Sequence, residues 1–460
     1  MEKPKKILNR MSTTQLSAIG FLIAILIGTC LLKLPFATVS GQTTTWIDAL
    51  FTATTSICVT GLTTVTMATH WTLFGKVIVM LLCQLGGFGV ITVTIFILVI
   101  MGKKISMRER IRIRESYNLD SSRGMVTLLK RIIKGTLIVE ILGAFFYAFQ
   151  FIPQFGFVRG VGYSIFHSVS AFCNAGIDIL GDSSLRLYVA NPIINFTTMF
   201  LIIVAGIGFP VWWDIIAVVK EWKKVPEKKI HLFRKLKLHS KVAIVTTIIL
   251  ITIGFLITLI CEYSNPNTIG NLPIGKKLIA SLFQSVTTRT AGFESLPQSE
   301  LTNGTALCSL ILMFIGGSPA GTAGGIKTTT IAMLVLTTIA SLRGNKDTEV
   351  FGRRISPMIL RTGLSIVLCS FVALLGATML LFITEDFGFL DTFYETVSAI
   401  GTVGLTRGIT SQLSVIGKII IIITMYLGRI GPITMAMAML AKRRNKKNFR
   451  ELPERTIILG

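Results

Sequence analysis

The sequence has 460 residues, of which 51% are hydrophobic and 15% charged, and its mean hydropathy is +0.70. Soluble domains carry roughly 25% charged residues, so this composition excludes an ordinary soluble domain and predicts an integral membrane protein. The formal net charge of +24 would suit nucleic-acid binding. However, the sequence contains no soluble basic domain with helical or aromatic reading elements, and no nucleic-acid partner is expected.

Eight apolar segments are long enough to cross a bilayer core about 30 Å thick, which takes about 20 helical residues. In chain order they are 16–36, 72–101, 129–152, 193–219, 240–261, 305–340, 357–384 and 412–441. The first lacks a small-residue cleavage pattern, so it is expected to stay in the protein as a helix. Membrane lipid is therefore the predicted surrounding of the chain.

Basic residues are distributed unevenly between the two sides of these spans. Of the 46 lysines and arginines, 34 lie in the polar segments 1–12, 102–131, 218–241, 342–361 and 442–460. The intervening segments hold six, and they are 37–71, 152–192, 262–304 and 385–412. Basic loops remain cytoplasmic, which predicts a multi-pass protein of the plasma (inner) membrane with both termini inside.

The four outward segments repeat one pattern, a half-length apolar stretch followed by a short polar run that ends in glycine. These glycines, at intervals of 115, 116 and 112 residues, are Gly61, Gly176, Gly292 and Gly404. Irregular backbone is tolerated at membrane depth only where protein buries it or where it lines water. The pattern predicts an all-α polytopic membrane protein with four helix–pore-loop–helix repeats, arranged pseudo-fourfold around a central pore. Eight spanning helices and four re-entrant pore helices are expected.

The repeats are expected to divide the chain into residues 1–115, 116–225, 226–345 and 346–460, called units one to four below, the last with a basic cytoplasmic tail. The alternative, four amphipathic surface loops with glycine turns, agrees less well with the matched spacing.

The polar runs predict a cation filter made of backbone carbonyls. Such carbonyls can replace the hydration shell of an ion, and glycine permits the close approach and positive φ that this requires. The C-terminal end of each pore helix, which points inward, would add a partial negative charge. No acidic residue occupies these positions, which favours a monovalent cation over calcium. The predicted ligands are the carbonyls of Val59, Thr60, Gly61, Asn174, Ala175, Gly176, Thr290, Ala291, Gly292, Thr402, Val403 and Gly404.

Four linked units with one filter glycine each, and a glycine-rich interruption in the second helix of the third, resemble the Ktr/Trk/HKT superfamily of potassium transporters. The resemblance extends from about Leu16 to about Ala441 and is strongest to the KtrB-type membrane subunit. It implies potassium uptake, often sodium-dependent, by a homodimer resting on a cytosolic RCK-type nucleotide-binding ring. No cofactor is expected in this chain. Potassium is the expected transported ion, with sodium second.

The resemblance also bears on selectivity. In that superfamily a serine at the first filter position accompanies sodium preference, so Gly61 favours potassium. Only GTVGL of the fourth unit approaches the potassium-channel pattern TVGYG, which leaves channel-like and carrier-like flux both open.

The stretch GGSPAGTAGGIKTTT, residues 316–330, interrupts the sixth span and is predicted to be a hinged intramembrane gate beneath the filter. A phosphate-binding loop is disfavoured, because Ile326 separates the last glycine from the lysine and no strand precedes the motif. The predicted gate comprises Gly316, Gly317, Gly321, Gly324, Gly325, Lys327 and Arg429.

Arg429 lies in the last span, where a charge costs roughly several kcal/mol and marks a candidate functional residue. Two interpretations are open: a positive barrier in the pore below the filter, or a structural arginine that binds loop carbonyls or a buried acid. The resemblance favours the first. Gly431-Pro432 is predicted to break the last helix, and the glycines of 86–89 and 206–210 occupy similar places in units one and two. Close packing of small residues is the simpler explanation for these glycines, and only unit three is expected to extend the feature into a loop.

Two other classes of function are considered. No histidine, cysteine and carboxylate residues converge, so no enzyme activity is expected. The isolated acids Glu140, Asp214 and Glu395 are expected to anchor helices or pair with lysines, and the seven cysteines to be buried packing residues. Organic-solute transporters usually contain inverted repeats, whereas these four are parallel. A sodium-permeable transporter of the same fold remains the main alternative.

Overall fold

The computed structural model describes residues 13–89, 92, 125–181, 183–224, 232–432 and 435, and these are mostly helical, with almost no sheet. Segments 1–12 and 442–460, the end of the span 72–101 and the unit boundaries at 115 and 225 lie outside the described residues. In chain order the helices are α1 (Thr13–Leu32), α2 (Trp46–Cys58), α3 (Met67–His70), α4 (Leu73–Phe88), α5 (Met125–Phe155), α6 (Phe157–Cys173), α7 (Pro192–Gly206), α8 (Phe209–Lys224), α9 (Leu232–Lys235), α10 (Leu238–Glu262), α11 (Ile274–Thr287), α12 (Asn303–Phe314), α13 (Thr328–Leu342), α14 (Pro357–Thr384), α15 (Phe389–Gly401) and α16 (Val415–Ile430). A hairpin of β1 (Glu349–Val350) and β2 (Arg353–Arg354) joins units three and four.

The first helix of each unit is continuous and apolar. Helices α1, α5, α10 and α14 have the length and composition needed to cross a membrane, and the bent pair α7 and α8 can be counted as a fifth span. Their outward faces expose large apolar side chains such as Ile141, Ile260 and Val372, which suits contact with lipid. These observations agree with the predicted polytopic all-α fold.

The second element of each unit is a shorter helix, α2, α6, α11 or α15, with 13 to 17 residues. At 1.5 Å per residue it extends about 20 to 26 Å, less than the hydrocarbon core. Polar residues are buried along it, as Thr54, Thr55 and Ser56 are in α2. These helices therefore lie inside the protein, as predicted for re-entrant pore helices.

In each unit the helix after the filter segment ends or bends near the middle of the predicted span. The sequence predicted this for unit three and, at Gly431-Pro432, for the last helix, but not for units one and two. Helix α4 ends before Gly89 and α16 before Gly431, while α7 and α8 meet at 94° beside Gly208. All three glycines have left-handed φ, between 81° and 93°, which a right-handed helix cannot continue. In unit three, α12 and α13 are separated by residues 315–327, as the glycine-rich motif predicted. Close packing alone therefore does not account for these glycines.

Polar contacts join each unit to the next around a closed ring. They are Gln84 Nε2 to Glu140 Oε1 at 3.0 Å between units one and two, Arg186 Nη2 to Glu294 Oε1 at 2.6 Å between two and three, Arg407 Nη1 to the Gln298 carbonyl at 2.8 Å between three and four, and Lys418 Nζ to Asp48 Oδ1 at 2.8 Å between four and one.

The isolated acids anchor helices, and no lysine side chain binds them among the residues that the structure describes. Glu140 accepts from the Gln84 amide, Asp214 from the main-chain N–H of Lys237, and Glu395 from two threonine hydroxyls. The seven cysteines are free. Cys30 and Cys261 are exposed, so the expectation of burial is wrong for these two.

The helix break at Gly208 should depend on glycine. A Cβ there would lie 2.5 Å from the Pro319 carbonyl oxygen on a backbone with φ of +93°, and a left-handed alanine costs about 1 to 2 kcal/mol before any clash. We expect Gly208→Ala to lower the thermal unfolding midpoint of the purified protein by several degrees. The matched control is Gly162→Ala in α6, where a Cβ meets nothing within 4 Å. Equal midpoints for the two variants would contradict this account.

Candidate functional site: an axial ion pathway

The four predicted filter segments share one backbone conformation. The residue two places before each glycine is left-handed although none is glycine: Val59 (φ 56°), Asn174 (φ 57°), Thr290 (φ 64°) and Thr402 (φ 50°). The four glycines are left-handed as well, with φ between 63° and 99°. A left-handed residue with a side chain costs about 1 to 2 kcal/mol and persists only where the surroundings impose it. The fourfold recurrence shows that the units are structurally equivalent here.

The four filter glycines meet around one axis. A Cβ on Gly61 would lie 2.6 Å from the Ala175 carbonyl oxygen, and one on Gly176 would lie 2.5 Å from that of Ala291. A Cβ on Gly292 would collide with the Val403 carbonyl oxygen, and a Cβ on Gly404 would collide with that of Thr60. Each glycine therefore abuts the residue before the next glycine, and the ring closes from the fourth unit to the first.

Hydroxyl groups on the last turns of the pore helices hold the filter backbone from behind. Thr55 Oγ1 accepts from the Gly61 N–H at 2.9 Å, and Ser398 Oγ accepts from the Gly404 N–H at 3.0 Å. In units two and three the hydroxyl binds the residue after the glycine. Ser170 Oγ donates to the Ile177 carbonyl and accepts from the Ile177 N–H, and Thr287 Oγ1 donates to the Phe293 carbonyl. We did not single out these hydroxyls from the sequence. Their signal was a serine or threonine six residues before the glycine, or five in unit three.

A vestibule of about 350 Å³ opens onto the four glycines and the residues that follow them. Its lining includes the carboxylates of Asp178 and Glu294, each two residues after a filter glycine. Two arginines also line it, and both bind carboxylates, Arg186 to Glu294 at 2.6 Å and Arg407 to Asp391 at 2.5 Å. The positive charges at this entrance are therefore paired with acids.

The interrupting loop, residues 315–327, lies on the opposite side of the filter. The Gly316 N–H binds the Ile326 carbonyl at 2.9 Å, which closes the base of the loop. A Cβ on Gly324 would overlap Oγ1 of Thr402, the residue that begins the fourth filter segment. Further contacts tie the loop to unit two, and they are Ser318 N–H to the Gly206 carbonyl at 2.8 Å, Phe209 N–H to the Ala320 carbonyl at 3.0 Å and Thr322 Oγ1 to the Phe172 carbonyl at 3.0 Å.

Cationic side chains bind the carbonyls of this loop. Arg429 donates to the Thr322 carbonyl at 2.7 Å and to the Gly86 carbonyl of α4 at 2.5 Å. Lys327 Nζ donates to the carbonyls of Ala323 at 2.8 Å and Gly324 at 3.4 Å. In the part of the chain that the structure describes, neither cation forms a salt bridge. These contacts agree with the interpretation of Arg429 as a structural arginine that binds loop carbonyls. Its contact with the loop is also compatible with the other interpretation, a positive barrier below the predicted filter.

Known proteins resemble this chain over most of its length. The model of a family described as TrkH, cation transport protein, matches residues 5–451. The potassium/sodium uptake protein NtpJ of Enterococcus hirae is 39% identical over 460 residues, covering 99% of each chain. The Ktr system potassium uptake protein B of Bacillus subtilis is 41% identical over 430 residues, covering 93% of each. The crystal structure of the potassium transporter TrkH from Vibrio parahaemolyticus matches with a TM-score of 0.68 at 19% identity, over 91% of this chain and 84% of that one, which shows a shared fold.

The hydroxyl behind the first filter segment should be needed for ion binding. Thr55→Val removes the acceptor of the Gly61 N–H, and an unpaired buried donor costs about 1 to 3 kcal/mol. Because 1.4 kcal/mol corresponds to tenfold, we expect the apparent affinity for transported rubidium to fall at least about fivefold. The matched control is Thr54→Val, whose hydroxyl bonds only to the Leu50 carbonyl of its own helix. Equal affinities for the two variants would contradict a role for Thr55 in shaping the filter.

Proposed function

Because the chain belongs to the TrkH family of cation transport proteins, which are transporters and not enzymes, we propose that it takes up potassium across the plasma membrane. The observation that carries this proposal is the closed ring of four left-handed glycines, each against a carbonyl of the next unit. A ring of backbone carbonyls is the arrangement that replaces the hydration shell of a monovalent cation. The relatives named for potassium uptake support the choice of ion.

The ion ligands in this proposal are the carbonyls of the twelve filter residues predicted from the sequence. None of these residues is acidic, so the ring offers dipoles and no fixed charge. The pore helices α2, α6 and α15 end directly before their filter segments, where their dipoles add partial negative charge. Carbonyl dipoles without carboxylates suit an ion of low charge, which favours a monovalent cation over a divalent one.

A second candidate is a sodium-permeable transporter of the same fold. The Enterococcus relative is named for both potassium and sodium uptake, and three filter segments depart from the potassium-channel pattern. Sodium dependence of potassium uptake also belongs to the proposal. An organic solute is disfavoured, because glycine Cα atoms of neighbouring units lie so close that a single added methyl group would collide.

We further propose that residues 315–327 form the gate and that the structure has them in the closed position. Moving the loop tip breaks three neutral hydrogen bonds to unit two and the contact of Arg429 with Thr322. At about 0.5 to 1.5 kcal/mol for each neutral bond and about 1.5 to 3 for the charged one, closure is worth roughly 3 to 7 kcal/mol. A shift of about 5.5 kcal/mol moves a two-state equilibrium from 1:99 to 99:1. A regulatory partner could therefore open this loop.

Such a partner belongs to the proposal as a separate cytosolic subunit, an RCK-type nucleotide-binding ring beneath a homodimer of this chain. In this proposal both termini are cytoplasmic, and so are the basic segments 218–241 and 342–361. These two segments contain the four-residue α9 and the β1–β2 hairpin. These are short elements, too small to bind a nucleotide by themselves. Control by a regulatory ligand would therefore come from another chain.

Transport can be tested with purified protein in liposomes, with a rubidium tracer in the presence and absence of sodium. We expect uptake that potassium inhibits more strongly than sodium does.

Gly61→Ser should weaken this preference about tenfold or more, because its Cβ must displace the Ala175 carbonyl, whereas Gly162→Ser should leave it unchanged. Absence of cation flux with and without a cytosolic subunit would contradict transport. Unchanged preference in Gly61→Ser would contradict only the position of the filter.

The gate can be tested by shortening the loop. Ile315 and Ile326 are bridged, so deletion of residues 316–322 leaves ends that can rejoin through a short turn. We expect rubidium flux to rise about tenfold or more, since the contacts of the loop with unit two and Arg429 are removed. A monodisperse deletion variant without increased flux would indicate that the loop is structural.

A further inference from the structure

A third cation contacts the loop, and it lies directly before the third filter segment. Arg289 lies three residues before Gly292 and is only 7% exposed. Its Nη2 donates to the Gly316 carbonyl at 3.3 Å, and its Nη1 donates to the Thr247 carbonyl of α10 at 3.4 Å. Its Nε has no hydrogen-bond partner in the structure. The guanidinium is thus held by two long hydrogen bonds to main-chain oxygens.

The surroundings of Arg289 are mostly apolar. A cavity of about 10 Å³ lies beside it, lined by Ile202, Ile251 and Val286 together with Thr247 and, from the loop, Gly317. Arg186, Arg354 and Arg407 each bind a carboxylate, whereas Arg289 forms no salt bridge among the described residues. A buried charge without an acid is costly and is retained in membrane proteins mainly at functional positions.

The contact is at the base of the loop. Gly316 is also the residue whose N–H binds the Ile326 carbonyl, next to the bridge between Ile315 and Ile326. Arg289 therefore touches the point where the two ends of the loop meet, while Arg429 touches the tip. A movement that carries Gly316 away removes one of the two partners of Arg289.

The other end of this contact is the filter backbone. Thr290, directly after Arg289, is the left-handed residue that begins the third filter segment, with φ of 64°. The main-chain N–H of Arg289 binds the Val286 carbonyl at 3.1 Å, so residue 289 forms the link between the pore helix and the filter segment. The backbone of Arg289 is therefore one peptide bond away from the first filter residue of unit three.

We propose that Arg289 is a positioning residue that couples the loop to the third filter segment, an inference that rests on the loop being the gate. With the loop closed, the guanidinium holds Gly316 and fixes the backbone before Thr290. With the loop displaced, the guanidinium loses that partner in an apolar cavity and must reorient or take up water. In unit three, gate opening and filter geometry are thereby linked through a single side chain.

The test is a double-mutant cycle between Arg289→Gln and deletion of residues 316–322. The deletion removes Gly316, so Arg289 has no loop contact in that background. In the full-length loop we expect Arg289→Gln to raise rubidium flux about fivefold or more and to change the potassium-to-sodium preference, with Arg289→Lys nearer to wild type. In the deletion background it should change flux less than about twofold.

The matched control is Lys277→Gln. Lys277 is a buried cation at the other end of the same pore helix, and its Nζ donates to the Tyr263 carbonyl at 2.7 Å without loop contact. The proposal is overturned if Arg289→Gln leaves flux unchanged or lowers it, if its effect is equal in both backgrounds, or if Lys277→Gln behaves identically. Should Arg289→Gln fail to yield monodisperse protein, Arg289→Lys carries the same cycle with a smaller expected increase. The flux of every variant is compared with the flux of the wild-type protein. Absence of rubidium flux in the wild-type protein would contradict the proposed function, whereas the outcomes above concern Arg289 alone.

Discussion

Backbone amides and carbonyls without partners are not tolerated in a lipid bilayer, and this protein places two stretches of non-helical backbone at membrane depth. The filter segments and the loop 315–327 have no regular secondary structure to satisfy them. Both lie inside a ring of helices whose lipid-facing surfaces are apolar. The remaining architecture can be understood as the means by which these two stretches are kept away from lipid and given polar partners.

The partners differ in a way that suits a cation pathway. Behind the filter, Thr55 and Ser398 accept hydrogen bonds from the glycine N–H groups, so the carbonyls of the same segments are left for an ion. Around the loop, Arg289, Arg429 and Lys327 donate to carbonyls. The loop carbonyls that these cations bind belong to Gly316, Thr322, Ala323 and Gly324. In the proposed gate, these three positive charges would also oppose the passage of cations while the loop is closed.

The four units are equivalent in backbone but not in chemistry. Every pair of neighbours is joined by a different polar contact, from an amide with a carboxylate to an arginine with a carbonyl. Unit three differs most, because it contains the loop, the buried Arg289 and a supporting hydroxyl one position closer to its glycine. A pore with one divergent unit can place its gate there while all four units maintain the ring of glycines.

The sequence by itself predicted four repeated units, the glycine positions of the proposed filter and the interruption in the sixth span, and the structure contains that interruption at residues 315–327. These depend on local properties, since glycine at matched spacing and apolar length can be seen in the sequence alone. The sequence also predicted a break at Gly431-Pro432, whereas only the tertiary structure decided that the second helices of units one and two end or bend at a glycine. A glycine in a membrane helix suits either close packing or a left-handed stop, and its neighbours select between them. The partners of Arg429 lie in units three and one, and those of Arg289 in the loop and α10. Such contacts depend on how distant segments pack around the axis, because a buried charge takes whichever carbonyls the fold brings within hydrogen-bonding distance.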